Sequence, residues 1–253
     1  MSNDTKANLA LDALMAFNRK ERYHVVRHAV TGGPWTLSDG FREQLQKALK
    51  GVLDTSIPDN AYVAMDYHLD WLSAAYQIGA KGGSPESLAA SGATYDNYPN
   101  EKNKPLIEGN QQDIDLLIAF VHGDRLYVIL VEAKADGGWG NQQLGKKLPR
   151  LKEILGDSRD NKRLVNPYLV FMSPSAPPVG SGSEEPRASI STDDWPRWAL
   201  TSEGGPYHVT FKPNRTLYRP AREEKIRQNE YQKWGVSETT GFSPDDADED
   251  EQD

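Results

Sequence analysis

Two apolar runs set close together constrain this chain more than any other feature of its sequence. Ile114 to Val121 is one β-rich run, Leu126 to Ala133 (LYVILVEA) is a second, and His122-Gly123-Asp124 lies between them. Two such runs joined by a Gly-Asp turn predict an antiparallel hairpin. The second run lacks the alternation of a half-solvated strand, so it calls for cover on both faces and a central place in a sheet. Residues 139–155 then fit a helix with Leu144, Leu148, Leu151 and Leu155 inward, kinked or broken at Pro149, and 167–172 (PYLVFM) form another strand.

The flanking segments read as follows. Residues 8–28 predict a helix, with Leu11, Leu14, Met15 and Phe17 near one face and a basic patch after them. Ser38 is an N-cap for a second helix bearing Phe41, Leu45, Leu49 and Leu53 at i+4 spacing. Residues 61–78 read as a third helix with Met65, Leu69, Leu72 and Tyr76 on one stripe, although Tyr62-Val63-Ala64 suits a helix or an extended start. Residues 79–110 are polar and read as a long connecting loop, and 173–190 as a Pro/Ser/Gly-rich loop. Residues 207–212 alternate like a strand, Thr216-Leu217-Tyr218 fits one more short strand, and 221–234 predict a charged helix. The order of helices, hairpin, helix and strands predicts a mixed α/β (α+β) domain. The expected organisation is an N-terminal helical region over 1–60, a core over 61–235 with 79–110 inserted, and a disordered acidic tail over 236–253.

Composition narrows the chemistry. The chain has no cysteine, which excludes a disulfide scaffold, a thiolate zinc site and a cysteine nucleophile. No apolar run approaches the ~20 residues of a membrane span, and Met1 to Lys6 is polar, so the expectation is a cytoplasmic protein with no membrane partner. The net charge of −8 misleads, because residues 245–253 (DDADEDEQD) carry seven of the acids and no base. The remainder is nearly neutral, so its acidity does not argue against a nucleic-acid partner.

Four charged residues stand at the hairpin ends away from the turn. Asp113 and Asp115 are two apart on the first strand, and Glu132 and Lys134 two apart on the second, so each pair shares a face. In a hairpin closing at Gly123 these ends are neighbours, which brings acids from both strands together with a lysine. Carboxylates abutting buried strands are costly unless paired or bound to a metal. A divalent cation resolves their repulsion, and Mg²⁺ suits a few carboxylate oxygens completed by water and phosphate. A neighbouring lysine is placed to orient the attacking water or stabilise developing charge. The simpler alternative is a surface ion pair at a strand end, which contributes little.

Asp115-Leu116-Leu117-Ile118 followed by Val131-Glu132-Ala133-Lys134 resembles the PD-(D/E)XK nuclease superfamily, whose signature is an acid on one core strand, an acid-x-Lys on the next, and then a helix. The resemblance covers about residues 113–172. It implies a restriction-endonuclease-like core, a mixed central sheet flanked by helices, and metal-dependent hydrolysis of phosphodiester bonds, DNA foremost. Restriction or anti-phage defence is the implied setting, with a homodimer or partner defence proteins. The implied catalytic set is Asp115, Glu132, Lys134 and Gln143, with Gln142 as the alternative glutamine. Asp115, Glu132 and the Ala133 carbonyl would hold Mg²⁺, or Mn²⁺ in its place. Asp113 is the second choice for the lone acid. Asp66 and Asp70, placed with His68 on the third helix, are further candidates for the metal site or else a polar helix shoulder. The basic residues Lys146, Lys147, Arg150 and Lys152, and Arg19, Lys20, Arg22 and Arg27, are candidates for phosphate contacts or a solvated face. Trp139 is expected to pack or to stack on a base. His24, His28 and His122 show no ligand spacing, and His208 reads as structural. A non-catalytic restriction-endonuclease-like binding or assembly subunit is the alternative, and an interaction module working through its acidic tail is a third.

Overall fold

The two apolar runs pair as an antiparallel hairpin, β2 (Asp113–His122) and β3 (Arg125–Ala133), in register from Leu116 opposite Val131 to His122 opposite Arg125. Gly123 begins the turn with φ 61°, a left-handed conformation open to glycine. The structure is a computed structural model. It describes residues 3–18, 35–97, 105–109, 112–134, 141–158, 163–174, 176–177, 195–211, 217–227 and 230–239, with backbone only for 3, 4, 141–143, 217–227 and 230–239.

The protein is a mixed α+β fold around a five-stranded sheet ordered β1-β2-β3-β4-β5. β1 (Tyr62–His68) is antiparallel to β2, while β4 (Val165–Ser173) runs parallel to β3 and β5 (Tyr207–Thr210) parallel to β4. β3 is therefore the central strand, as its unbroken apolar run predicts. Passing from β3 to a parallel neighbour requires a crossover, and helix α5 (Asn141–Leu155) supplies it, continuous through Pro149.

Both faces are covered. One carries α1 (Asn3–Phe17), α3 (Leu69–Lys81) and α5, whose Ala10, Leu14, Leu72, Ile78, Leu148 and Leu151 pack with Leu117, Val128 and Leu130 of the sheet. α1 and α3 approach closely, and a Cβ at Gly79 would collide with Ala10. The opposite face packs Leu45 of α2 (Asp39–Ala48) and the adjoining Leu49 and Ile57 against Ile118, Ile129 and Tyr168. Tyr127 Oη donates to Asp54 Oδ1 at 2.7 Å and Tyr168 Oη to the Val52 carbonyl at 3.2 Å, fastening the segment after α2 to the sheet. As expected, Ser38 caps α2, accepting from the Phe41 amide. Among the described residues no helix is long and apolar enough to cross a membrane.

Several expectations are corrected. The third helix begins at Leu69: Tyr62-Val63-Ala64 takes the extended alternative, and the strand runs on to His68 because Tyr62 to His68 pairs with β2, so Asp66 and His68 are strand residues. His68 then caps the helix, its Nδ1 accepting from the Asp70 amide at 3.2 Å. The first helix spans Asn3–Phe17, and 19–34, with the basic cluster at 19–27 and His24 and His28, lies outside the described residues. Leu53 lies beyond α2, which ends at Ala48. The 79–110 connection contains a helix, α4 (Pro85–Ser91), started by a reciprocal Ser84–Ser87 capping box and a proline in its first turn. The predicted charged helix over 221–234 is instead a hairpin of β6 (Leu217–Arg227) and β7 (Glu230–Thr239). Tyr231, Trp234 and Val236 favour a pleated strand once a partner is present. Residues 173–190 lie mostly outside the described residues, and Trp139 and 240–253 entirely so.

Asp70 and Arg150, two candidates for the site, are instead buried together, linking α3 to α5 by an ion pair. Asp70 also accepts from the Glu108 amide at 3.0 Å and the Gly109 amide at 2.8 Å, and Arg150 donates to Gln112 Oε1 and the Leu106 carbonyl, both at 3.3 Å. Burial opposes ionisation of Asp70, but the two amides and Arg150 outweigh it and hold the carboxyl below its ordinary 3.8. Asp70→Asn leaves a buried guanidinium without its counter-charge. Urea unfolding at pH 7 is expected to show a loss of about 3 kcal/mol. Because the folded carboxyl titrates below the unfolded one, the deficit is full above about pH 4 and shrinks as pH falls through the lowered value.

Candidate metal and phosphodiester site

At the end of the hairpin away from Gly123, the β2–β3 ladder gives way to a side-chain contact. The last pair of the register is Leu116 opposite Val131, and just beyond it the Ala133 amide donates to Asp115 Oδ2 at 2.7 Å. Asp115 thereby replaces a strand pairing with a carboxylate. On the other side of β3 the Lys134 amide donates to the Met172 carbonyl at 2.8 Å, so the Glu132-Ala133-Lys134 segment is held from both neighbours.

Glu132 has the parity of Val128 and Leu130, so it emerges on the face covered by α1, α3 and α5. There it is 6% exposed, with Lys147 of α5 donating from Nζ to its Oε1 at 2.6 Å. Burial pushes the Glu132 carboxyl up from 4.5 to about 7. The Lys147 charge opposes the rise, the Asp115 charge adds to it, and the Lys134 charge opposes it more weakly. Asp115 and Lys134 thus both act electrostatically on Glu132.

The other sequence candidates separate. Asp113 opens β2 opposite His68 and lies farther from the turn than the Asp115–Ala133 contact. Asp70 and Arg150 are committed to each other, and Lys152 pairs with Asp157 at 3.0 Å. Gln142 and Gln143 lie in the first turn of α5, with side chains outside the described residues. His208 is hydrogen-bonded to Ser173 and its burial lowers its pKa, in keeping with a structural role.

The placements of two named candidates escape the sequence reading. Asp66 holds φ 50° between the Met65–Leu116 and Tyr67–Ile114 pairs, which puts it across from Asp115 in the sheet. That conformation is sparsely populated, and Asp tolerates it better than most residues. Lys147 appears in the sequence as one of four basic residues. The signal that separates it is its spacing from Leu144, Leu148 and Leu151, which turns it toward the sheet while Lys146 is exposed.

Among the described residues no three His, Asp or Glu side chains are gathered to hold a metal ion. The available donor set is smaller, two carboxylates on adjacent strands with a backbone carbonyl between Glu132 and Lys134. A small hard cation can complete such a set with water and phosphate oxygens, and a buried carboxyl this reluctant to ionise beside a second one fits a cation of that kind. In comparison with known proteins, no family model matches the chain, and neither a curated protein nor a solved structure matches it.

The raised Glu132 pKa sets a sign for stability. Between pH 4.5 and about 7 the folded protein holds a proton that the unfolded chain has released. Glu132 thus contributes stability below pH 4.5, and that contribution is lost as pH rises through about 7. In EDTA, Glu132→Gln is expected to match the wild type near pH 4.5 and to exceed it by about 3 kcal/mol at pH 8. Urea unfolding at the two pH values measures this, and an equal difference at both would show that the carboxyl titrates normally.

Proposed function

We propose that this protein is a metal-dependent nuclease that hydrolyses phosphodiester bonds, with DNA as the foremost substrate. The observation that carries the reading is the 2.7 Å bond from the Ala133 amide to Asp115, which sets the lone acid of β2 against the acid-x-Lys segment of β3. The order of antiparallel hairpin, crossover helix and parallel strand supports the resemblance to the PD-(D/E)XK superfamily. A restriction-endonuclease-like core, and restriction or anti-phage defence as its setting, belong to the same proposal.

In this reading Asp115, Glu132 and the Ala133 carbonyl hold Mg²⁺, or Mn²⁺ as a substitute. When bound, the cation would supply charge neutralisation at a phosphoryl oxygen and a water of lowered pKa. Lys134 is placed to orient the attacking water or to stabilise the charge that develops on the phosphate. Gln143, at the start of α5, steadies the site or a phosphate. Trapping Asp115 on a backbone amide and Glu132 beneath α5 reduces the freedom of both carboxylates before substrate arrives, which lowers the entropic cost of assembling the site.

A second reading, a non-catalytic binding or assembly subunit of the same architecture, draws on the Lys147 contact, because Glu132 already has a cationic partner. Cleavage of plasmid and oligonucleotide DNA in Mg²⁺ or Mn²⁺ separates the two. Glu132→Gln is expected to abolish cleavage while the protein stays folded. Lys134→Ala is expected to keep Mn²⁺ binding and lose about a hundredfold or more in turnover. Cleavage that persists in EDTA, or that survives Glu132→Gln unchanged, would place the chemistry elsewhere.

A further inference from the structure

Two basic side chains of α5 are turned inward, and they are held in different ways. Arg150 spreads its guanidinium over Asp70, Gln112 and the Leu106 carbonyl, and lies 3.5 Å from Glu108, a mesh that joins three parts of the chain. Lys147 reaches one carboxylate oxygen, Glu132 Oε1, at 2.6 Å. Its side chain is 13% exposed and that of Glu132 8%, against 4% for Arg150, so Lys147 is the more accessible of the two inward bases. A lysine carries a compact charge on a flexible four-carbon stem, which can leave a partner without moving its helix.

We propose that Lys147 is the place-holder for the cation: its ammonium occupies Glu132 while no divalent ion is bound, and it must give up that carboxylate for the ion to enter. The inference rests on the metal site proposed above. Mg²⁺ binds carboxylate oxygens at about 2.0–2.1 Å. An ammonium already on the same small carboxylate would stand a few ångströms from it, and in a site this poorly hydrated two cations so placed repel strongly. Binding is therefore an exchange of ammonium for metal. The exchange explains how a chain can carry a buried acid at a site designed for a cation and remain folded before the cation arrives. It also weakens the ion's apparent affinity, so uptake is most favourable when substrate phosphate adds its own oxygens to the ion.

The test uses the whole chain with Mn²⁺ as probe, and reads binding, not cleavage. Free Mn²⁺ is followed by electron paramagnetic resonance for the wild type, Lys147→Gln and Glu132→Gln. The glutamine at 147 keeps a donor for Glu132 and removes the positive charge. Lys147→Gln is expected to bind Mn²⁺ about tenfold tighter than the wild type or more, and Glu132→Gln to lose the site. A second measurement needs no variant. Mass-spectrometric labelling with an amine-reactive ester is expected to rise at Lys147 when Mn²⁺ saturates the wild type, with Lys146 as the exposed reference. Equal or weaker Mn²⁺ binding by a folded Lys147→Gln, or unchanged labelling at saturation, would overturn the place-holder and leave the metal site standing. If the wild type and both variants bind Mn²⁺ identically or not at all, the metal site itself fails, and the place-holder with it.

Discussion

A strand that is apolar along its whole length has to be covered on both faces, and the rest of the structure depends on how β3 meets that requirement. Antiparallel β2 and parallel β4 take its two edges. Helices α1, α3 and α5 take one face, and α2 with the segment after it takes the other. The parallel pairing of β3 with β4 obliges the chain to cross over, and the crossing puts α5 on the face from which Glu132 emerges. The contact between Lys147 and Glu132 follows from that route.

Two buried acids, each paired with a base on α5, respond to folding in opposite directions. Asp70 receives two backbone amides and a guanidinium, and its carboxyl is held below the ordinary range. Glu132 receives one ammonium, lies near another carboxylate, and is pushed up to about 7. The difference is in the supply of donors relative to the cost of desolvation. Asp70 is solvated by protein as fully as water would solvate it, and its work is to bind α3, the 106–109 segment and α5 together. Glu132 is left short of positive charge. An acid kept in that condition is a poor device for stability and a suitable one for capturing a cation.

Much of the fold was legible because it is written locally. The hairpin, its turn at Gly123, the inward leucines of α5, the Ser38 cap and the parity of Asp115, Glu132 and Lys134 all follow from periods of two or 3.6 residues and from turn chemistry. One misreading lies where the deciding partner is remote. Tyr62 to His68 has a helical stripe running through it, yet pairing with β2, some fifty residues on, makes it a strand. The 217–239 segment is a different case, with its partner close by: charged residues of good helix propensity give way once two neighbouring stretches can pair.

By itself the sequence determined that a central apolar hairpin would end in two acids and a lysine, because side-chain parity along a strand is a local property. It could not determine which cations would stand over those acids. Helical spacing turns Lys147 and Arg150 inward, but the acid that each one meets is set by where α5 lies over the sheet: Lys147 meets Glu132 and Arg150 meets Asp70, while Lys152 pairs with Asp157 just beyond the helix. Nor could the sequence place Asp66 across from Asp115, because register between strands is set by packing over the whole sheet and not by any residue within them.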